Sequence, residues 1–170
     1  MDVETAIRTR RTHKAFGPEP LPRRQIEELL ELARWAPNHH LTAPWRFRVV
    51  GPEALRRLKE AAGPEGAAKL ERAPTLIVVS CVEAPDDPVQ REEDLHATAV
   101  ASYIVLLAAH ARGLAGYWRT PGLLRTDEGR AAVGLAEGER FVSLLHLGLP
   151  RQEKEPPERP AVAQTTTYLA

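Results

Sequence analysis

Thr75-Leu-Ile-Val-Val-Ser-Cys-Val82 is a nearly continuous run of β-branched and apolar residues with no polar alternation. A strand of that composition is covered on both faces, so it predicts a central position in a layered α/β or α+β domain. Outward from it, Trp45–Val50 reads as a second strand, closed by Gly51-Pro52. Leu114–Arg119 and Phe141–Leu147 read as two more. Helical periodicity fills the intervals. Pro22 opens a helix whose Ile26, Leu29, Leu30 and Ala33 share a face, and Pro37 ends it. Glu53–Leu70 is helical with a break at Gly63-Pro64 and Gly66, and Arg125–Val133 makes a short helix. Val89–Arg112, stopped by Gly113, is the longest helix; its face Ala99, Tyr103, Leu106, Leu107 and His110 is too apolar for a surface helix and predicts a core or an interface.

The tail from Leu149 changes character. Pro150, Pro156, Pro157 and Pro160 keep it extended, and Gln164–Leu169 returns to strand chemistry. A lone strand on a proline arm needs a sheet edge, its own or a second copy's. At 170 residues, without repeats, the chain reads as one domain spanning 1–170, with 149–170 as an extended tail.

Composition excludes several classes. Lys and Arg number 23 and so do Asp and Glu, so no basic excess points to nucleic acid or an anionic membrane. The N-terminus lacks a signal-peptide pattern, no apolar run reaches the ~18 residues of a membrane span, and the single Cys81 lies within the central strand as a buried thiol. These features predict a reducing cytoplasm. His39-His40, and His96 with His110 fourteen residues on, have no ligand spacing, so no metal is expected. There is no Gly-x-Gly-x-x-Gly, no Walker loop and no Gly-x-Ser-x-Gly elbow.

Three segments carry groups suited to a ligand. Arg8, Arg10, Arg11, Thr12, His13 and Lys14 follow a short helix, and guanidinium forks beside a hydroxyl suit a phosphate; a solvated basic loop is the plainer reading of that cluster alone. Trp35-Ala-Pro-Asn-His-His-Leu-Thr-Ala-Pro-Trp45 is dense in aromatic and hydrogen-bonding groups, as flat-ligand loops are, although Trp45 reads as a core anchor. In Gly113-Leu-Ala-Gly-Tyr-Trp-Arg-Thr-Pro-Gly122 a strand ends in small, aromatic and cationic groups where backbone can approach a ring, or simply exits the sheet. Asp86-Asp87 and Glu92-Glu93-Asp94 read as a solvated acidic turn and a helix N-terminus. With no nucleophile beside a base, a borrowed organic cofactor is the natural carrier of chemistry.

Taken in order, these segments resemble the nitroreductase family, particularly its short members. Arg10-Arg11-Thr12-His13-Lys14-Ala15-Phe16 is similar to the family's Arg-Arg-Ser-x-(Lys/Arg)-x-Phe entry, with Thr for Ser. Ala36-Pro37-Asn38-His39 and Ala43-Pro44-Trp45, Gly113–Thr120, the His-Leu-Gly-Leu-Pro ending at Pro150, and Pro156–Pro160 resemble its later motifs in register. The resemblance implies an α+β fold with a central, mostly antiparallel sheet flanked by helices, and a homodimer that exchanges C-terminal strands. It implies non-covalent FMN and ping-pong transfer of hydride from NAD(P)H through flavin N5 to a nitroaromatic, quinone or similar small electron-poor acceptor. Arg10, Arg11 and Thr12, aided by Arg159, would hold the phosphate and ribityl chain; Trp35 and His39 would reach in from the other subunit; Trp118, Arg119 and Thr120 would lie along the isoalloxazine. Arg10 or Lys14 would place positive charge near the N1–C2=O edge. No side chain is assigned as a catalytic acid or base. Between Val50 and Pro74 the chain is shorter than the family's larger members, which predicts an open substrate pocket. A non-enzymatic FMN-binding module for redox sensing or storage is the alternative.

Overall fold

The computed structural model describes residues 1–169. Helix α1 (Val3–Thr9) is capped by Asp2, whose carboxylate accepts from Thr5 N at 2.9 Å. Then come α2 (Arg23–Ala33), β1 (Trp45–Val49), α3 (Pro52–Leu70), β2 (Thr75–Val82), α4 (Pro88–Ala111), β3 (Ala115–Arg119), α5 (Asp127–Ala132) and β4 (Glu139–Gly148). Among the described residues the strands form one antiparallel sheet in the order β1-β2-β4-β3.

β2 lies inside the sheet, as its composition predicts, and its residues alternate between two cores. Ile77 and Val79 face α2 and α4, with Leu29, Ala101, Val105, Leu145 and Leu147. Leu76 and Val78 face the other layer, with Leu58, Leu70, Leu124 and Leu144. Period-2 side-chain alternation on a buried strand forces this two-sided core. Trp45 is buried in the first core, as expected of an anchor, and Cys81 is a buried free thiol pushed above its ordinary value chiefly by burial.

Helix α4 crosses the sheet on its small residues Ala97, Ala101, Ser102, Ala108 and Ala109, all buried. The face predicted from sequence divides: Leu106 is buried, whereas Tyr103 is open beside Val100. Gly116 lies beneath Leu106, where a Cβ would approach Leu106 Cδ2 to 2.7 Å, so any larger residue there would push the Leu106 side chain aside.

Three expectations need correction. The helix expected over Arg125–Val133 begins at Asp127, because Thr126 caps it by accepting from Gly129 N, and Gly122–Arg125 form a separate 3-10 turn. The break in α3 falls at Gly63-Pro64 as expected, where Gly63 reverses the backbone sign (φ 65°), but not at Gly66, which stays helical. The tail is not a strand in the single chain: Val162–Gln164 form a 3-10 turn, and Tyr168 and Leu169 are about nine-tenths exposed. Strand-prone residues need an edge to pair with, and this chain's own sheet does not take them.

Candidate functional site

The segment after α1 is laid against the sheet by backbone pairing. Thr12 bridges Gly116 of β3 in parallel, and His13 N donates to Gly116 O at 3.1 Å. Phe16 bridges Pro150, and Gly17 N donates to Leu149 O at 2.9 Å. This brings the start of the chain beside the start of its tail, and between them opens a cavity of about 700 Å³. Its walls are α1 and Arg10-Arg11 on one side, Tyr103 of α4, and the tail residues Lys154, Pro156, Pro157 and Arg159 on the other.

Among the described residues no carboxylate lines that cavity. Arg8 pairs with Glu4, but among the described residues Arg10, Arg11, Lys154 and Arg159 form no ion pair. Arg10 lies over the Tyr103 ring. Arg11 spends Nε on Glu155 O and Nη1 on the carbonyls of Arg8 and Arg10. Lys154 Nζ donates to Thr12 O at 2.8 Å. Converging cations without counter-charges make an anion site. The field is felt nearby: burial first, then Lys154, His110 and Arg10, pushes His13 below the ordinary imidazole value. His110 is lowered in the same way by burial, then Arg10 and Arg11. Thr9 Oγ1 gives its proton to Thr5 O, so it accepts from His110 Nε2 at 2.8 Å, which fixes that ring's tautomer.

Of the residues expected at a phosphate, Arg10, Arg11 and Arg159 converge here. Thr12 supplies the backbone bridge and does not line the cavity. Trp118 and Arg119 end β3, the strand that Thr12 joins, and Thr120 follows it, so both segments share one sheet edge. Their side chains diverge. Trp118 packs on the α2/α4 core. Arg119 turns to the other layer, with its guanidinium 5.9 Å from the Tyr117 ring centre and donating to Lys69 O at 3.0 Å, and it lines a separate cavity with Lys69 and Leu123.

Trp35 and His39 lie elsewhere in the chain. Trp35 is three-quarters exposed, with Arg34 over its ring. His39 stacks on His40 with centroids 3.8 Å apart, and its Nδ1 is 2.7 Å from Glu93 of α4. A carboxylate only accepts, so Nδ1 carries the proton and Nε2 is left free. The surrounding loop is held under strain: His40, Leu41 and Ala43 all have positive φ (54°, 53° and 44°), costing roughly 1–2 kcal/mol each. It is pinned by Asn38 Oδ1 accepting from Ala43 N and by Thr42 Oγ1 donating to Asp94 at 2.6 Å. This refines the reading of Glu92-Glu93-Asp94 as a helix N-terminus, since α4 begins at Pro88 with Asp87 as its cap. Asp94 is buried and also accepts from Gln90 Nε2, because the loop folds back over it.

A shared helix links the two places. Glu93 and Tyr103 are ten residues apart on α4, about 15 Å along its axis at ~1.5 Å per residue, and the face between them presents His96 and Val100 to solvent. The sequence marked Tyr103 only as part of the long helix's apolar face and Glu93 only as part of its N-terminus, and did not single out Lys154. Lys154 lies in a proline arm without periodicity, and only its charge marked it.

The sequence model described as the Nitroreductase family matches residues 7–149. "Putative NAD(P)H nitroreductase YfhC" of Bacillus subtilis is 28% identical, over 96% of this chain and 92% of its own. Among solved structures, a nitroreductase-like family protein from Bacillus cereus superposes with a TM-score of 0.88 at 28% identity, covering 99% of this chain and 96% of that one. A protein from Desulfovibrio desulfuricans solved in complex with FMN superposes with a TM-score of 0.83 at 26% identity, covering 100% and 98%.

Proposed function

Because this chain belongs to the nitroreductase family, we propose that it is an FMN-dependent oxidoreductase that draws hydride from NAD(P)H and reduces electron-poor acceptors such as nitroaromatics or quinones. The observation that carries this reading is the cavity of about 700 Å³ in which Arg10, Arg11, Lys154 and Arg159 meet no carboxylate among the described residues. A phosphate monoester is the ligand such a set fits, and the relative of the same fold solved with FMN supports reading that ester as a flavin's. Bound there, FMN supplies the hydride relay that no side chain of this protein can supply.

The chain's own groups hold and orient. Arg10 and Arg159 grip the phosphate, Arg11 braces the wall behind it, and Thr12 fixes the segment to β3 so that Trp118, Arg119 and Thr120 border the ring with their backbone. Lys14 follows on the same segment and can bring positive charge to the ring's pyrimidine edge. Trp35 and His39 act from a second copy. A two-fold axis along the open face of α4 (His96, Val100, Tyr103) would bring the His39 loop of one protomer to the Arg10 cavity of the other, with residues 149–170 as the dimerisation tail of a single-domain homodimer that exchanges its C-terminal end beyond the cavity. One site then serves donor and acceptor in turn.

Purified protein incubated with FMN should be yellow, with the visible absorbance of an oxidised flavin. NADH or NADPH should bleach that absorbance under anaerobic conditions, and a quinone should restore it. Flavin that binds but stays oxidised with both nicotinamides would leave a cofactor-binding module and sink the oxidoreductase reading.

A further inference from the structure

Residues 149–160 are exposed at every position, so no apolar burial holds them down. Among the described residues, 152–160 make no backbone–backbone hydrogen bond, and three prolines there lack an N–H altogether. Past Arg151, whose N donates to Ala15 O at 3.4 Å, the segment is fastened to the body by two latches. Arg11 donates to Glu155 O at 3.3 Å, and Lys154 donates to Thr12 O at 2.8 Å. Yet this segment is one whole wall of the cationic cavity, and its Lys154 and Arg159 face Arg10 and Arg11. Like charges on two lightly joined walls push them apart, and a dianion between them reverses the sign of that interaction.

The four cations are not equally available to such an anion. Arg11 has committed Nε and Nη1 to three carbonyls, which leaves Nη2. Lys154 has three donors and gives one to Thr12 O, so two remain.

We propose that Lys154 is a phosphate ligand of this cavity and that residues 150–160 are a strap which a bound phosphate draws closed. The source of the phosphate rests on the FMN reading; the closing by an anion does not. Cofactor loading and tail placement then become one equilibrium, because the same charges serve both.

The test is cleavage of the full-length protein by a glutamate-specific protease, which can cut the strap after Glu153 and Glu158. FMN and inorganic pyrophosphate should each slow that cleavage several-fold, and riboflavin, lacking the phosphate, should not. Lys154→Gln should weaken FMN about tenfold, as loss of one charge-assisted hydrogen bond does, and should abolish the protection; Lys154→Arg should restore both. FMN bound stoichiometrically with unchanged cleavage would overturn the strap, and wild-type FMN affinity in Lys154→Gln would remove Lys154 from the site. If FMN does not bind at all, the cofactor reading falls and pyrophosphate decides: protection keeps the strap, and none overturns it.

Discussion

The guanidinium of Arg10 lies over the ring of Tyr103, 5.8 Å from its centre, and so joins the N-terminal segment to the open face of α4. Arg10 thus borders both the cationic cavity and the helix face assigned to the dimer. Arg10→Ala should weaken FMN by about 10–100-fold, the worth of a charge-assisted contact of ~1.5–3 kcal/mol. The fold should survive, since Arg10 makes no ion pair among the described residues. Fluorescence titration of FMN, with a thermal melt as control, reads both; unchanged affinity would move the phosphate site elsewhere.

His146 is fully buried in β4, and among the described residues neither ring nitrogen has a hydrogen-bond partner. Burial, with Arg119 and Arg72 adding to it, pushes it down to about 3 from the ordinary 6.5. The unfolded chain therefore takes a proton below pH ~6.5 that the folded chain refuses until about pH 3. Stability is complete above that range and falls through it, by about 1.4 kcal/mol per pH unit from this group. Urea denaturation between pH 7 and 4 should show a shallower acid slope for His146→Leu than for wild type, with no loss at pH 7. Equal slopes would mean the ring finds a partner in solution.

Arg48 and Glu139 form a bidentate ion pair across the sheet at 2.8 Å, with Ser80 Oγ donating to the same carboxylate. Burial pushes Glu139 up, but the Arg48 and Ser80 hydrogen bonds outweigh it and hold it below the usual range. Arg48→Met leaves that carboxylate nearly buried and unpaired, and should cost about 3 kcal/mol. Adding Glu139→Gln should recover part of the loss, because the stranded charge is gone. Chemical denaturation of both variants measures it; a single variant within ~0.5 kcal/mol of wild type would place the pair among exposed, weak ones.

Deleting residues 161–170 touches no proposed cofactor contact, yet it should weaken both dimerisation and FMN binding. Val162, Tyr168 and Leu169 are largely exposed in the single chain, and the proposed second copy would cover them. Sedimentation and FMN titration of the truncated protein check this together. A full-length monomer that binds FMN stoichiometrically would overturn the exchange and the placing of His39 across the interface.

Elements whose cause is local were legible before any coordinates. Thr75–Val82 is the inner strand its composition announces, Trp45 is the anchor, and α4 runs within one residue of the predicted span. Propensity, caps and periodicity act over a few residues, so they can be read from a few residues. What lay beyond reach depends on contacts between distant parts of the chain. Arg11 meets Glu155 across 144 positions, and no spacing foretells that Lys154 completes the cavity. Asp94 resembled any acid at a helix start until the His39–Ala43 loop folded over it. The tail's strand chemistry was real, but a strand exists only where an edge accepts it, and the single chain provides none. By itself, then, the sequence determined the layers, the buried strand and the residue types able to hold a phosphate, because burial and backbone preference are properties of short segments. Only the tertiary structure decided which cations share one space without a carboxylate, because charge adds up through space and not along the chain.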